Sequence, residues 1–168
     1  MQQRTLSAVA LMAFLPRLIA GTPPMPLPLQ ARAATPSAAV EACTLFKKED
    51  AAAALGGPVT GPKATGPLTS APGTTITVCE YTGPGTLSAV LYVTRLPGVQ
   101  LSTDRAACAK GAREGLAGLG DVACWNNNSH EELHVYKGLV FISIELSGKS
   151  NPTDTIKAAA KKVVDRLK

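Results

Sequence analysis

Four cysteines constrain the fold of this chain more than any other feature of its sequence: Cys43, Cys79, Cys108 and Cys124. In an exported domain an even number of cysteines predicts two disulfide bonds, for which three pairings are possible. We favour Cys43–Cys79 and Cys108–Cys124, because each pair joins the start or body of a helix to the strand region that follows. Each bond would stabilise the fold by about 3 kcal/mol. The competing interpretation, a four-ligand zinc site, lacks the Cys-x-x-Cys spacing that such sites use.

The N-terminal segment has the pattern of a secretory signal peptide. Arg4 supplies a positive charge, residues 6–15 form an uncharged apolar run, and Ala31-Arg32-Ala33 fits the small-x-small cleavage rule. Arg17 follows too early for a membrane-spanning helix, which needs roughly 20 apolar residues. The alternative is a misassigned start codon that leaves a disordered tail.

This pattern predicts the organisation of the whole chain. We expect a signal peptide at residues 1–33, a short linker rich in Ala, Pro and Ser at 34–42, and a single disulfide-linked domain at 43–168. The protein would then be exported to the periplasm or secreted, with no transmembrane segment after the signal is removed.

The charge of the mature domain argues against a nucleic-acid partner. The full chain has 17 basic and 12 acidic residues, a net charge of +5. Cleavage after Ala33 would remove three arginines and no acidic residue, which leaves 14 basic and 12 acidic residues and a net charge of +2. The lysines that cluster in the last predicted helix are expected to form a solvated helix face.

The order of helix-like and strand-like segments along the chain predicts an α+β domain, in which three helices pack on a mostly antiparallel sheet. The predicted order is helix, two or three strands, helix, three strands and helix. The proline-rich segment Pro58–Gly73 is interpreted as a long loop, with one short strand near Val59 as an alternative. Cys43 precedes a Leu-Gly pair by 12 residues and Cys108 precedes another by 11, which favours a tandem helix-plus-strands duplication.

Three motifs in the first half of the chain resemble a family of small bacterial exported domains and lipoproteins of unknown function. That family is typified by Cys-x-Leu-Leu, a helix ending in Leu-Gly-x-Pro-Val, and Cys-x-Tyr. The chain departs from the pattern by placing Lys47 where a capping Thr is usual, and it lacks the lipid-bearing cysteine. The resemblance implies a folded exported domain, supports the Cys43–Cys79 pair and carries over no catalytic residue. The motifs are Cys43-Thr44-Leu45-Phe46, Ala54-Leu55-Gly56-Gly57-Pro58-Val59 and Cys79-Glu80-Tyr81.

One motif matches the sequence pattern of a catalytic site. His130-Glu131-Glu132-Leu133-His134 matches the His-Glu-x-x-His of zinc peptidases, in which two histidines one helical turn apart bind the metal. Here the surrounding sequence predicts a strand, on which residues four apart are separated by about 13 Å. Zinc–nitrogen bonds of about 2.1 Å cannot bridge that gap. We therefore predict a non-enzymatic protein without metal or cofactor, with a zinc metallopeptidase as the alternative.

Strand alternation predicts a contact surface on the side of the sheet that faces away from the helices. If Leu91, Leu133 and Ile142 face the helices, then several aromatic neighbours point outward. Aromatic side chains dominate binding hot spots, so the prediction is a domain that binds an unknown protein or a small apolar ligand. A loop or a dimer partner could cover these residues instead, and a structural envelope protein is a further alternative. The predicted binding residues are Tyr92, Trp125, His134, Tyr136 and Phe141.

Overall fold

Four helices and six strands occur in the part of the chain that the computed structural model describes, residues 39–96, 98–110, 116–126 and 128–167. The predicted signal peptide and residues 34–38 of the predicted linker lie outside these ranges. The elements are α1 Ala42–Leu45, α2 Lys48–Leu55, β1 Thr60–Ala71, β2 Thr74–Thr82, β3 Ser88–Arg95, α3 Gly98–Lys110, β4 Val122–Trp125, β5 Glu132–Lys137, β6 Val140–Ser147 and α4 Thr153–Arg166.

The six strands form one sheet in the order β1-β2-β3-β6-β5-β4, and every neighbouring pair is antiparallel. This confirms the predicted α+β class with an antiparallel sheet. Each half of the chain contributes a three-stranded meander, and the meanders join at the β3–β6 pair. The two halves of the chain therefore contribute the same number of strands to the sheet.

The main core lies on one side of the sheet, which we call the inner face. Alternate residues of the central strands point into it, and Leu133, Val135, Ile142 and Ile144 are fully buried. α1, α2 and α4 cover this face, and α4 presents to it an apolar stripe from Ile156 to Val164, which Leu167 extends just beyond the end of the helix. Burying each large apolar side chain stabilises the fold by roughly 1.5–3 kcal/mol.

A smaller cluster lies on the opposite side, which we call the outer face. Leu101 and Cys108 of α3 pack there against Cys124 and Tyr136, with Leu96 beside them. Helices therefore cover both faces of the sheet. The two halves of the chain differ in this respect, since α2 lies on the inner face and α3 on the outer face.

The predicted loop at Pro58–Gly73 is wrong, because most of it forms the edge strand β1. Gly61 and Gly66 adopt φ values of +111° and +108° where the register shifts, and a Cβ at Gly66 would lie 2.5 Å from the carbonyl oxygen of Ile76. Prolines lack an N–H donor and are tolerated in a strand at an edge or a bulge. Here they directly follow the two glycines, so a sequence that resembles a loop can pair with β2.

A buried carboxylate joins α2 to α4 on the inner face. Asp50 is 4% exposed and accepts hydrogen bonds from Arg166, from Lys162 at 3.1 Å and from the backbone N–H of Lys47 at 3.3 Å. Burial acts to raise the pKa of Asp50, but the hydrogen bonds from Arg166, Lys162 and Lys47 outweigh it, so that the pKa lies below its usual value. The Arg166 guanidinium also donates to the carbonyl oxygen of Leu45 at 2.7 Å.

The structure contains the two disulfides that the sequence favours. Cys43–Cys79 joins α1 to β2 on the inner face, with its Cα atoms 5.0 Å apart. Cys108–Cys124 joins α3 to β4 on the outer face, with its Cα atoms 5.6 Å apart. Disulfides form and persist in oxidising compartments, so both bonds are compatible with a location outside the cytoplasm. In the described residues, every helix is too short or too polar to cross a membrane.

Candidate functional site on the outer face

A row of residues crosses the uncovered part of the outer face. Val78, Tyr92, Ser143 and His134 are consecutive cross-strand partners on β2, β3, β6 and β5. Ser143 is buried, whereas Tyr92 is 37% exposed. Three large hydrophobic side chains are exposed among the described residues, and of these only Tyr92 stands on a central strand of the sheet. The uncovered part of the outer face therefore has an aromatic ring near its middle.

The adjacent row is acidic. Glu80, Val90, Glu145 and Glu132 are consecutive partners across the same four strands, so two glutamates stand directly opposite each other on β5 and β6. Like charges in directly opposed positions destabilise a sheet. Burial raises the pKa of Tyr92, and the charges of Glu145, Glu132 and Glu80 raise it further. The outer face thus places negative charge on one side of its exposed ring.

Glu132 is held in place by its neighbours. Its Oε1 accepts a hydrogen bond from the Ser143 hydroxyl at 2.6 Å and lies 2.9 Å from His134 Nε2, while Asn126 Nδ2 donates to Oε2. Burial acts to raise the pKa of Glu132, but the hydrogen bonds from Ser143, Asn126 and His134 prevail and lower it. This carboxylate is therefore ionised at neutral pH.

The other two glutamates of the row differ in their partners. Glu80 forms an ion pair with Lys63 of β1 at 3.4 Å. Glu145 accepts a hydrogen bond from Ser147 at 2.9 Å, and among the described residues no cationic side chain pairs with it. The acidic row consequently carries negative charge that the described part of the chain does not neutralise.

A cleft of about 360 Å³, which we call the outer groove, lies between α3 and this face. Three rings line it in contact with one another: Phe141 packs at 5.1 Å from Tyr136 and edge-to-face at 4.9 Å from His134, measured between ring centroids. The Cys108–Cys124 disulfide lies along the same cleft and links α3 to the sheet. Pockets for small ligands begin at about 300 Å³, so the outer groove can hold a small molecule or one side chain.

Asp104 of α3 lies at the border of the outer groove. It is exposed, and it forms no ion pair with any residue in the described ranges. Burial raises the pKa of Tyr136, and the charge of Asp104, which lines the same groove, raises it further. The neighbouring Arg105 is paired with Asp121 at 3.2 Å.

Four of the five predicted binding residues lie on the outer face, but in different environments. Tyr92 is exposed, His134 and Phe141 are half-buried, and Tyr136 is 4% exposed beneath α3. His134, Tyr136 and Phe141 meet at the outer groove, whereas Tyr92 stands outside it.

The prediction that Trp125 faces outward is wrong. Trp125 pairs with Leu133, is 3% exposed and belongs to the inner core. Its ring packs against that of His130 at 4.8 Å, and Lys157 of α4 lies 6.0 Å from the ring centroid. The alternation of residues along the strand gave the wrong face for Trp125 because helices cover both faces of β4. Apolar side chains are therefore required at every position of this strand.

The His-Glu-x-x-His motif does not form a helix. His134 lies on β5 and His130 lies before it with a φ of +56°. His130 packs against Trp125 of the inner core, whereas His134 packs against Phe141 on the outer face. Within the described ranges no three His, Cys, Asp or Glu side chains are grouped so that they could hold a metal ion. The helical spacing on which the zinc hypothesis depends is therefore absent at this motif.

The acidic residues of this site were not among the binding residues predicted from the sequence. Glu132 could have been found, because it is two residues from His134 and shares its face of a strand. Glu80 and Glu145 belong to the same row only through the pairing of β2, β3 and β6, and Asp104 joins them only because α3 packs on the outer face. No sequence pattern indicates those pairings.

Comparison with known proteins yields no match: no protein-family model, no curated protein and no solved structure is similar to the chain. The role of the outer face therefore has to be argued from its own geometry and charge.

Proposed function

We propose that the protein is an exported, non-enzymatic binding domain that contacts a protein partner through the outer face of its sheet. The observation that carries this proposal is the exposed ring of Tyr92 beside a row of incompletely neutralised glutamates. Large aromatic rings that sit within polar surroundings are the residues that most often dominate protein interfaces.

The shape of the surface favours a macromolecular partner over a small apolar ligand. Val78, Val90 and Tyr92 are only partly buried and occupy neighbouring positions on two strands, which makes a broad surface rather than a closed cavity. The acidic row beside them would make an apolar ligand a poor fit, because carboxylates lose their hydration when such a ligand covers them.

Export is the second part of the proposal. It is supported by the signal-like pattern of residues 1–33 and by the two disulfides, which would not persist in a reducing cytoplasm. The motif resemblance to a family of small bacterial exported domains agrees with both features, and we propose that the chain is related to that family.

Affinity capture from the envelope and medium of the producing cells tests this function. The bait is the wild-type protein, compared with Tyr92→Thr, which keeps a residue suited to a strand but removes the ring. We expect Tyr92→Thr to recover at least about tenfold less of the partner, the usual effect of losing a hot-spot residue.

Leu139→Thr is the matched control. Leu139 is 48% exposed in the turn between β5 and β6, so this variant removes a comparable apolar side chain away from the outer face. Capture by Leu139→Thr should equal that of the wild type. Recovery of the same proteins in the same amounts by both variants would overturn the proposal.

A further inference from the structure

The outer groove combines aromatic rings with carboxylates. Tyr136, Phe141 and His134 form a continuous set of rings along it, with Asp104 at its border and Glu132 hydrogen-bonded to His134. Aromatic rings attract cations through their negative faces, and carboxylates attract them through charge. The aromatic rings and the carboxylates therefore both favour a cationic ligand.

Lysine and arginine side chains are absent from the lining of the outer groove among the described residues. Arg105, next to Asp104 on α3, is already paired with Asp121 at 3.2 Å. Lys157 lies 6.0 Å from the ring centroid of Trp125, a member of the inner core that also contributes to the lining of the groove. Asp104 therefore keeps a negative charge that no described ion pair neutralises, whereas Glu132 is already hydrogen-bonded to Ser143, His134 and Asn126.

The size of the cleft limits what that group can be. A volume of about 360 Å³ accommodates one long side chain or a small molecule, and not a folded segment. The groove also adjoins the surface around Tyr92, because His134 belongs to the same cross-strand row. A partner that covers Tyr92 could therefore extend a side chain into the groove.

From this charge complementarity we infer that the outer groove receives a lysine or arginine side chain from the protein partner. The rings would contact the cationic head group and Asp104 would pair with it at the border of the groove, while Glu132, which is hydrogen-bonded to His134, would add to the negative potential. The inference rests on the proposed function for the source of the side chain, but the chemistry of the groove stands on the residues that line it.

Titration of the full chain with capped tetra-arginine and tetra-lysine, followed by NMR, tests the inference. We expect saturable shifts at His134, Tyr136 and Phe141, and no such shifts with capped tetra-glutamate. Asp104→Asn should weaken binding of the basic peptides by about threefold, the usual size of one exposed charge contact. Raising the ionic strength should weaken binding further, because salt screens exposed charges.

Glu41→Gln provides the control for loss of one negative charge. Glu41 is exposed at the start of α1, which lies on the inner face, so its neutralisation should leave peptide binding unchanged. Equal binding by Asp104→Asn and Glu41→Gln, or shifts that cluster away from the groove, would overturn the inference.

The two proposals can fail separately. If capture depends on Tyr92 but Asp104→Asn captures as much partner as the wild type, then the cation site is wrong and the binding face stands. If the basic peptides bind in the groove while Tyr92→Thr captures as much partner as the wild type, then the proposed protein interface is wrong. In that case the cation site belongs to a different ligand.

Discussion

The inner and outer faces of the sheet each carry one disulfide and at least one helix, yet they are built differently. Three helices and a continuous set of fully buried side chains close the inner face. On the outer face, α3 covers the end near β4 in the described residues, and the remainder carries the exposed Tyr92 and a row of half-buried glutamates. The inner face therefore supplies the larger core, and the outer face carries charged and aromatic side chains that this core does not require.

The largest expected difference concerns the disulfides. Cys43–Cys79 spans 36 residues and Cys108–Cys124 spans 16, so their loss should cost about 4 and about 3 kcal/mol by chain entropy. Paired Cys→Ala variants measured by denaturant unfolding give both values. We expect the Cys108/Cys124 variant also to lose hydrogen-exchange protection in α3 well before the sheet, whereas the Cys43/Cys79 variant should lose protection throughout the domain. Loss of hydrogen-exchange protection throughout the domain in both variants would contradict the distinction between the inner and outer faces.

Truncation of a buried core side chain should cause the next largest loss in the free energy of unfolding. Leu133→Ala on the inner face removes a fully buried side chain and is expected to lower the free energy of unfolding by about 3 kcal/mol. Val90→Ala on the outer face removes a partly buried side chain, and its cost should stay below about 1 kcal/mol. Similar costs for the two variants, measured by urea unfolding, would mean that the outer face is packed as tightly as the inner one.

The Asp50 ion pairs give a pH-dependent test of the inner face. Asp50→Asn should cost about 2 kcal/mol at pH 7, because it leaves Arg166 and Lys162 without their carboxylate. Since the pKa of Asp50 is lowered by folding, the stabilisation is complete above its unfolded value of 3.8 and is lost as the pH falls through the folded value.

Unfolding measured from pH 7 down to pH 2 should therefore show the wild type and Asp50→Asn converging in the acidic range. Glu41→Gln, which neutralises an exposed carboxylate, should follow the wild type at every pH. If the free energies of unfolding of the wild type and Asp50→Asn differed by the same amount down to pH 2, ionisation of Asp50 would not contribute to stability.

Removal of the exposed ring should have the smallest effect on stability. Tyr92→Thr is expected to change the free energy of unfolding by no more than about 0.5 kcal/mol, because the ring is partly exposed and threonine suits a strand. Thermal unfolding checks this. A loss above about 2 kcal/mol would mean that the ring serves the fold, and the capture experiment with this variant would no longer report on binding alone.

The sequence predicts the inner face better than the outer one, for a physical reason. The alanines of α2, the glycine that ends it and the short β-type run of β4 are local signals, which a sequence carries without knowledge of the tertiary structure. The disulfide pairs follow from the order of these elements.

The outer face depends on long-range pairing, which local patterns do not encode. The acidic row exists only in the register of four strands, and Trp125 was misplaced because β4 is covered on both sides. β1 was missed because its glycines and prolines are typical of loops, and only pairing with β2 turns them into bulges of an edge strand.

Site-specific photo-crosslinking tests the central claim, that the outer face is the binding surface, most directly. A photoreactive amino acid is placed at position 92 on the outer face, or at position 139, where Leu139 is 48% exposed between β5 and β6. Irradiation in the producing cells should crosslink a protein partner from position 92 and not from position 139. Crosslinking of the same protein with equal yield from both positions, or crosslinking from position 92 only to a second copy of this chain, would contradict the account.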